Sequence, residues 1–581
     1  MSNPARPLAA AALALLASGC ARQPTQPDAG SGSSSGSGSA KSTPSAMPPL
    51  TPPRPPAPLS REASAVDFGA MNARAAGKKP APDCTPGPGG VRYDVGSPKA
   101  PTLGDVPWTD LHPGDVVCVP YRPEPYRNKV YFLSRGAEGA PIRLVGLRGP
   151  RGERPVIDGD EAVTSKLVKP SSKDAYLETF GVVNIITHFA PPPGAPWGWH
   201  PGWITISGLK IQHARPASQF TDSSGAKKHY AEFSASVYIN PGDNVIVEDC
   251  DLTESQLGVF AKSFEKTTGQ VERVSENLTL RGNFIHDNGD EKLLSVHNVY
   301  IEARGCNVIG NYLGHKDGLK GSNYKSRCSH ERVYANWVVG GHQSLLKLVD
   351  PQAGWDSIGV APDYEPTVVA GNVLINPTEG GSVEAMVHFG GDSYSQPERY
   401  RRALVFYANT VLAPMHGHAY VHLVGLHHFT REKPSIQAWL SSNLVFNTSD
   451  GLGPGLADFS LASGAGTAFV SHNWIGPSVP VYDQYEKNRG SVVGWDGASS
   501  GTDPGIAAAP AASKAIVDVR PLRTSPVVDK GEPFSALPAE SKASTVKDFA
   551  LYELTGTREN PWYQARPVSG AIDDGAYEAT K

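Results

Sequence analysis

The chain has little cysteine, little methionine and little net charge: 6 Cys and 5 Met in 581 residues, with a formal charge of -4. Six cysteines cannot frame a fold of this size, so any disulfides are local staples. A near-neutral balance gives no electrostatic footprint for nucleic acid, and a charged ligand must be recognised locally. No apolar run reaches the roughly 20 residues that span a bilayer. Helical i, i+3, i+4 patterning is missing from the central region. What is abundant is Gly (61) and Pro (52), the composition of short strands joined by frequent turns.

The amino-terminal "MSNPARPLAAAALALLASGC" (1–20) has one cation, a short apolar stretch and small residues before a cysteine. That pattern reads as a secretory signal over residues 1–19. Its end resembles a bacterial lipobox, which implies lipidation of Cys20 and a place on the outer membrane or cell surface of a Gram-negative cell; ordinary signal cleavage is the alternative. Residues 20–80 are Gly/Ser-rich and then Pro-rich, with almost nothing to bury, and read as a disordered tether. With Cys20 on lipid, five cysteines remain and at least one is unpaired.

One phrase recurs: "TISGLKI" (205–211), "IVEDCDL" (246–252), "TLRGNFI" (279–285), "NVIGNYL" (307–313), "RVYANWV" (332–338), "VVAGNVL" (368–374), "VFYANTV" (405–411), "WLSSNLV" (439–445) and "FVSHNWI" (469–475). Each is an apolar strand, a two-residue turn and a second apolar strand. From the third copy the turn ends in asparagine, at Asn283, Asn311, Asn336, Asn372, Asn409, Asn443 and Asn473. A constant core at irregular spacing is the pattern of a solenoid with loop insertions. Neither strand buries its apolar face alone, so like units must stack, and identical amides about 4.8 Å apart can bond to one another as a ladder. The expectation is an all-β, right-handed single-stranded parallel β-helix over residues 84–500, with a closing segment over 501–581. The borders, "DLHPGDVVCVP" (110–120) and "RPVSGAIDDGAYE" (566–578), resemble the opening and closing segments of secreted bacterial, pectate-lyase-like β-helix enzymes.

Strand alternation places Lys325 and Arg327 on one face, expected to be the outer, solvent-facing one, and the small Ser326 and Cys328 on the inner. Lys325 and Arg327 stand eleven and nine residues before Asn336; Tyr300 and Glu302 stand eleven and nine before Asn311. Tyr300 is therefore expected beside Lys325, and Glu302 beside Arg327. Lys320 and Lys347 fall near the same column. A bare column of cations repels itself, and an anionic ligand relieves it; a solvated face of weak salt bridges, worth about 0–1 kcal/mol each, is the plainer account.

The segment 297–350 resembles bacterial β-helix proteins described as polysaccharide-degrading enzymes, and more distantly the alginate lyase and chondroitinase B group. There a Lys-Ser on one rung supplies a catalytic lysine and the next rung an arginine. The resemblance implies a lyase that performs β-elimination on an acidic, uronate-containing polysaccharide, with Lys325 matching the lysine and Lys347 standing near the arginine. β-Elimination needs a cation on the carboxylate and a base of lowered pKa. Lys325 is the candidate base, Arg327 and Lys347 the carboxylate partners, and Tyr300 or His342 the acid. Lys320, Glu302, His342, Trp197 and Trp199 are candidate substrate contacts, the tryptophans because exposed aromatics stack on sugar rings. Lys320 stands where that group has an acidic calcium ligand, so no cofactor is expected and calcium is not supported by the motif. Five histidines in "MHGHAYVHLVGLHHF" (415–429) show no compelling ligand spacing. Cys84 with Cys118, and Cys306 with Cys328, are pairings compatible with an oxidising compartment. Two alternatives stay open: an inverting glycoside hydrolase using Asp287, Asp290 and Asp317, and a non-catalytic glycan-binding adhesin. Either way a monomer is expected, with no nucleic-acid partner.

Overall fold

The computed structural model describes residues 67–579 apart from 173, 188–198, 264–273, 317, 377–384, 393–398, 414–420, 428–435, 447–458, 465, 477–478, 480–489, 495–498, 502 and 508–517. Cys20 and the first 66 residues lie outside the described residues, as do Trp197, Asp317 and three of the five histidines (His416, His418 and His428).

Three parallel sheets share one winding path. A coil crosses a long sheet of 13 strands, then a sheet of ten short strands, then a third sheet of ten, and returns one rung on. In the central coil these strands are Ser329–Tyr334, Trp337–Val339 and Ser344–Val349, each paired in parallel with its counterpart in the next coil. The fold is a parallel β-helix. Inward residues such as Val333, Val338, Leu346 and Leu348 are fully buried.

The turn of the repeat has a backbone reason for its composition. The residue before each ladder asparagine has a left-handed φ: Gly282 at 61°, Gly310 at 64°, Ala335 at 51°, Gly371 at 68°, Ala408 at 52°, Ser442 at 59° and His472 at 48°. Small side chains dominate because a Cβ crowds the following carbonyl there. The bend steers the chain from the long to the short-strand sheet and aims the asparagine inward. From Asn311 on, each side-chain oxygen accepts the backbone N–H and the amide of the asparagine one rung back, as Asn336 does for Asn311 (3.0 and 2.9 Å) and Asn372 for Asn336 (2.9 and 3.0 Å).

Cys84 bonds Cys118 and Cys306 bonds Cys328 across adjacent rungs, while Cys250 is buried and unpaired. The folded chain starts earlier than the composition implies. Asp67 caps the helix Phe68–Ala75 through the N–H of Ala70, Phe68 is buried, and Asn72 exchanges side-chain hydrogen bonds with Asn307. Residues 67–80 are thus part of the β-helix unit, not of a disordered tether.

The closing segment runs back along the solenoid. Its antiparallel hairpin, Tyr552–Thr557 with Asn560–Ala565, sets Tyr552, Trp562 and Tyr563 against Ile309 and Tyr334, and the Tyr577 hydroxyl accepts from Trp337 Nε1 at 2.9 Å. Asp574 in this segment is fully buried and neither carboxylate oxygen has a hydrogen-bond partner. Burial pushes its pKa up to about 8 against the opposing field of Arg566. A carboxyl whose folded pKa exceeds its unfolded value stabilises the fold in its protonated form, and that contribution fades as pH rises through the folded pKa. Asp574→Asn is therefore expected to melt above the parent by a margin that grows from pH 4 to about 8 and then levels. A margin independent of pH in melting curves across that range would show that the carboxylate is not the titrating group.

Candidate functional site

The third sheet carries Val299–Ile301, Tyr324–Ser326, Ser344–Val349 and Ala385–Gly390 on successive rungs. Their register aligns Tyr300 with Lys325, Lys325 with Lys347, and Lys347 with His388. Two devices hold these strands from inside. A second amide run, Asn288 to Asn298 to Asn323 (2.8 and 2.9 Å), ends on the residues that precede Val299 and Tyr324. Beneath Lys325, a fully buried Arg401–Glu331 ion pair takes the Tyr324 hydroxyl on Glu331 (2.8 Å) and brings Arg401 to Ser326 Oγ (3.4 Å).

On the outer side three cations close on one carboxylate. Asp392 Oδ2 accepts from Lys325 Nζ at 2.8 Å and Arg327 Nη2 at 2.6 Å, and Oδ1 lies 3.1 Å from Lys347 Nζ. Arg327 also donates Nη1 to the Asp350 carbonyl and Nε to the Tyr300 hydroxyl at 2.9 Å, and that hydroxyl donates to Gln352 at 3.2 Å. Burial pushes both lysines below the ordinary amine range, with Asp392 opposing. Burial alone would raise Asp392, yet Lys325, Lys347 and Arg327 hold it well below the carboxylate range. Burial pushes the Tyr300 phenol up to about 12, against Arg327, so it carries its proton. Alongside sits His297, buried and edge-on to Tyr300 at 5.4 Å between ring centroids. Burial and then the two lysines hold its pKa well below the usual range. Its Nδ1 accepts from the N–H of Ser322 at 2.9 Å, which places the ring proton on Nε2, and that atom has no hydrogen-bond partner.

The cluster unites Tyr300, Lys325, Arg327 and Lys347 as the register implies, with four corrections. Lys325 is not solvent-facing: it is 7% exposed, because Asp392, two rungs on, and the 350–354 segment, which meets Arg327 and Tyr300, lie over the outer face. Glu302 is not an ion-pair partner of Arg327 or a surface contact; it is buried, and its Oε1 accepts from the N–H groups of Gln352, Ala353 and Gly354 (2.8, 2.8 and 3.0 Å). Lys320 and His342 form their own pair, Nζ to Nε2 at 2.9 Å, in the turns that lead into the strands of Lys325 and Lys347. Burial and Lys320 depress His342, so it accepts that proton. Trp199 is half-buried ahead of Gly202–Ser207 in the long sheet, not on the third. Of the aspartates considered for hydrolysis, Asp287 bonds His286 at 3.0 Å, and Asp290 accepts from Gln256 and from the N–H groups of Lys292 and Leu293.

Among the described residues no group of three or more His, Cys, Asp and Glu side chains is arranged to hold a metal ion. The donor set of the cluster, three cations on one carboxylate, does not fit calcium. A cavity of about 200 Å³ lies elsewhere, on the long sheet, where Lys79, Arg143, Asp249 and Trp562 line it. Its cations are paired, Lys79 with Asp249 and Arg143 with Asp83.

No family model and no curated protein matches the chain. Among solved structures it is similar to pectate lyase Pel9A, at 9% identity over 84% of this chain and 96% of that one, with a TM-score of 0.38. It is similar also to the PL6 family alginate lyase AlyGC (11%, 71% and 51%, 0.31) and to PfbA, a surface adhesin of Streptococcus pneumoniae (12%, 62% and 77%, 0.32). At these values the likeness carries no argument about chemistry, and the site must speak through its own geometry.

Proposed function

We propose that this β-helix binds a uronate-containing polysaccharide on its third sheet and cleaves it by β-elimination. One observation carries the reading: cations from two adjacent rungs, Lys325, Arg327 and Lys347, converge on the two oxygens of a single carboxylate within 2.6–3.1 Å. A carboxylate so held is neutralised, which acidifies the proton on its α-carbon. Lys325, lowered by burial, is the amine that removes it. The electron pair forms the ring double bond, the bond from the β-carbon to the glycosidic oxygen breaks, and the departing oxygen takes a proton from Tyr300. Arg327 and Lys347 hold the carboxylate throughout.

The test is a panel of polyuronates and neutral glycans with the purified protein. Absorbance of an unsaturated uronate is expected with at least one polyuronate and with no neutral glycan. New reducing ends without that absorbance would replace elimination by hydrolysis, and saturable binding without turnover would make the protein a glycan-binding β-helix.

A further inference from the structure

We propose that Asp392 is the specificity-determining residue of this cluster: its carboxylate fills the position of a ligand's carboxylate, and a ligand binds by taking its place. The inference rests on the cluster being a carboxylate site, as argued above, and adds how that site selects. Asp392 is the most exposed of the four charged side chains, at 18% against 6% for Arg327, 9% for Lys325 and 11% for Lys347. A molecule arriving from solvent meets Asp392 before any cation. Both its oxygens are engaged, and Arg327 has its other donors on Tyr300 and the Asp350 carbonyl. A second carboxylate therefore cannot reach all three cations while Asp392 stays.

The backbone beneath Asp392 is fixed. Its N–H donates to Asp350 Oδ1 at 2.6 Å, Arg401 N–H donates to the Gly390 carbonyl, and a Cβ on Gly391 would meet the Tyr400 ring at 2.4 Å. Exchange is thus a rotation of the aspartate side chain, not a movement of the chain. Selectivity follows from what each competitor replaces. Charge-assisted hydrogen bonds are roughly twice as strong as neutral ones, and a neutral hydroxyl in place of Asp392 would strand three poorly hydrated cations. A carboxylate restores both charge and geometry. When the incoming carboxylate bridges Arg327 and Lys347, Lys325 is left without its direct hydrogen bond to an anion, while the burial and the Arg327 charge that oppose its protonated form stay.

The experiment uses the full chain with Asp392→Ala, and with Asp392→Asn in case the smaller side chain prevents folding. Melting midpoints are measured in sodium acetate, sodium glucuronate, glucose and sodium chloride at matched ionic strength. A ligand that binds only the folded state raises the midpoint. Acetate and glucuronate are expected to raise the variants toward the parent, glucose and chloride to leave them unchanged, and the parent to respond only weakly and only to the two carboxylates; glucuronate affinity by calorimetry is expected to rise at least tenfold over the parent. Equal rescue by chloride, absence of rescue, or failure of both variants to fold in acetate would each overturn the proposal and leave Asp392 a structural ion-pair partner. These readouts do not depend on turnover, so a protein that exchanges acetate but cleaves nothing would refute the lyase reading alone.

Discussion

Lys325→Met is expected to lose glycan cleavage by about 10²–10⁴-fold, the range typical of a removed general base, while the circular dichroism of the β-helix is retained. Methionine keeps the length of the side chain and fills the buried space. Asp392 keeps Arg327 and Lys347 as partners, so no carboxylate is left unpaired. Lys325→Arg should fail almost as completely, because a guanidinium stays protonated and cannot accept the proton. Lys325→Ala is a poorer probe. At 7% exposure it would open a cavity and cost about 2–4 kcal/mol, so lost activity could be confused with lost stability. A rate in the methionine variant equal to that of the parent would remove Lys325 from the chemistry.

The alignment behind that prediction was legible because the asparagine ladder is a ruler. Tyr300 and Lys325 each stand eleven residues before the next ladder asparagine, and the structure pairs them. The ruler fails where loops of unequal length intervene. Lys347 stands twenty-five residues before Asn372, and Asp392 seventeen before Asn409, so no shared offset links the anion to its cations. Alternation along Tyr324–Ser326 identified the side turned away from the core, yet it could not report that Asp392 and the 350–354 segment cover that side. Glu302 illustrates the same limit: its partners are backbone groups fifty residues onward, where no side-chain pattern marks them. His297 lies in the loop before Val299–Ile301 and meets Tyr300 and the N–H of Ser322, contacts that a lone histidine in the sequence does not signal. The helix Phe68–Ala75, capped by Asp67, reads as tether in the sequence because a helix this short in a polar, Pro-rich neighbourhood offers little periodicity.

Asn336→Leu is expected to lower the stability of the β-helix more than any surface substitution. Its side chain is fully buried. Its Oδ1 accepts both the N–H and the Nδ2 of Asn311, and its own Nδ2 donates to the Val308 carbonyl and to Asn372 Oδ1. Leucine keeps the number of side-chain heavy atoms but removes all four bonds, stranding two donors of Asn311 in the buried core. At about 1–3 kcal/mol for each buried unsatisfied group, the loss should be roughly 2–6 kcal/mol. The ladder supplies its own control. Asn283 begins it, and its Oδ1 accepts from one group, the N–H of Cys250, so Asn283→Leu strands a single donor behind it and should cost about half as much. Urea midpoints of the two variants separate the accounts. If the loss comes from orphaned donors, Asn336→Leu unfolds well before Asn283→Leu; equal midpoints would mean that the amides merely fill space and that the rungs are held in register by their backbone pairing alone.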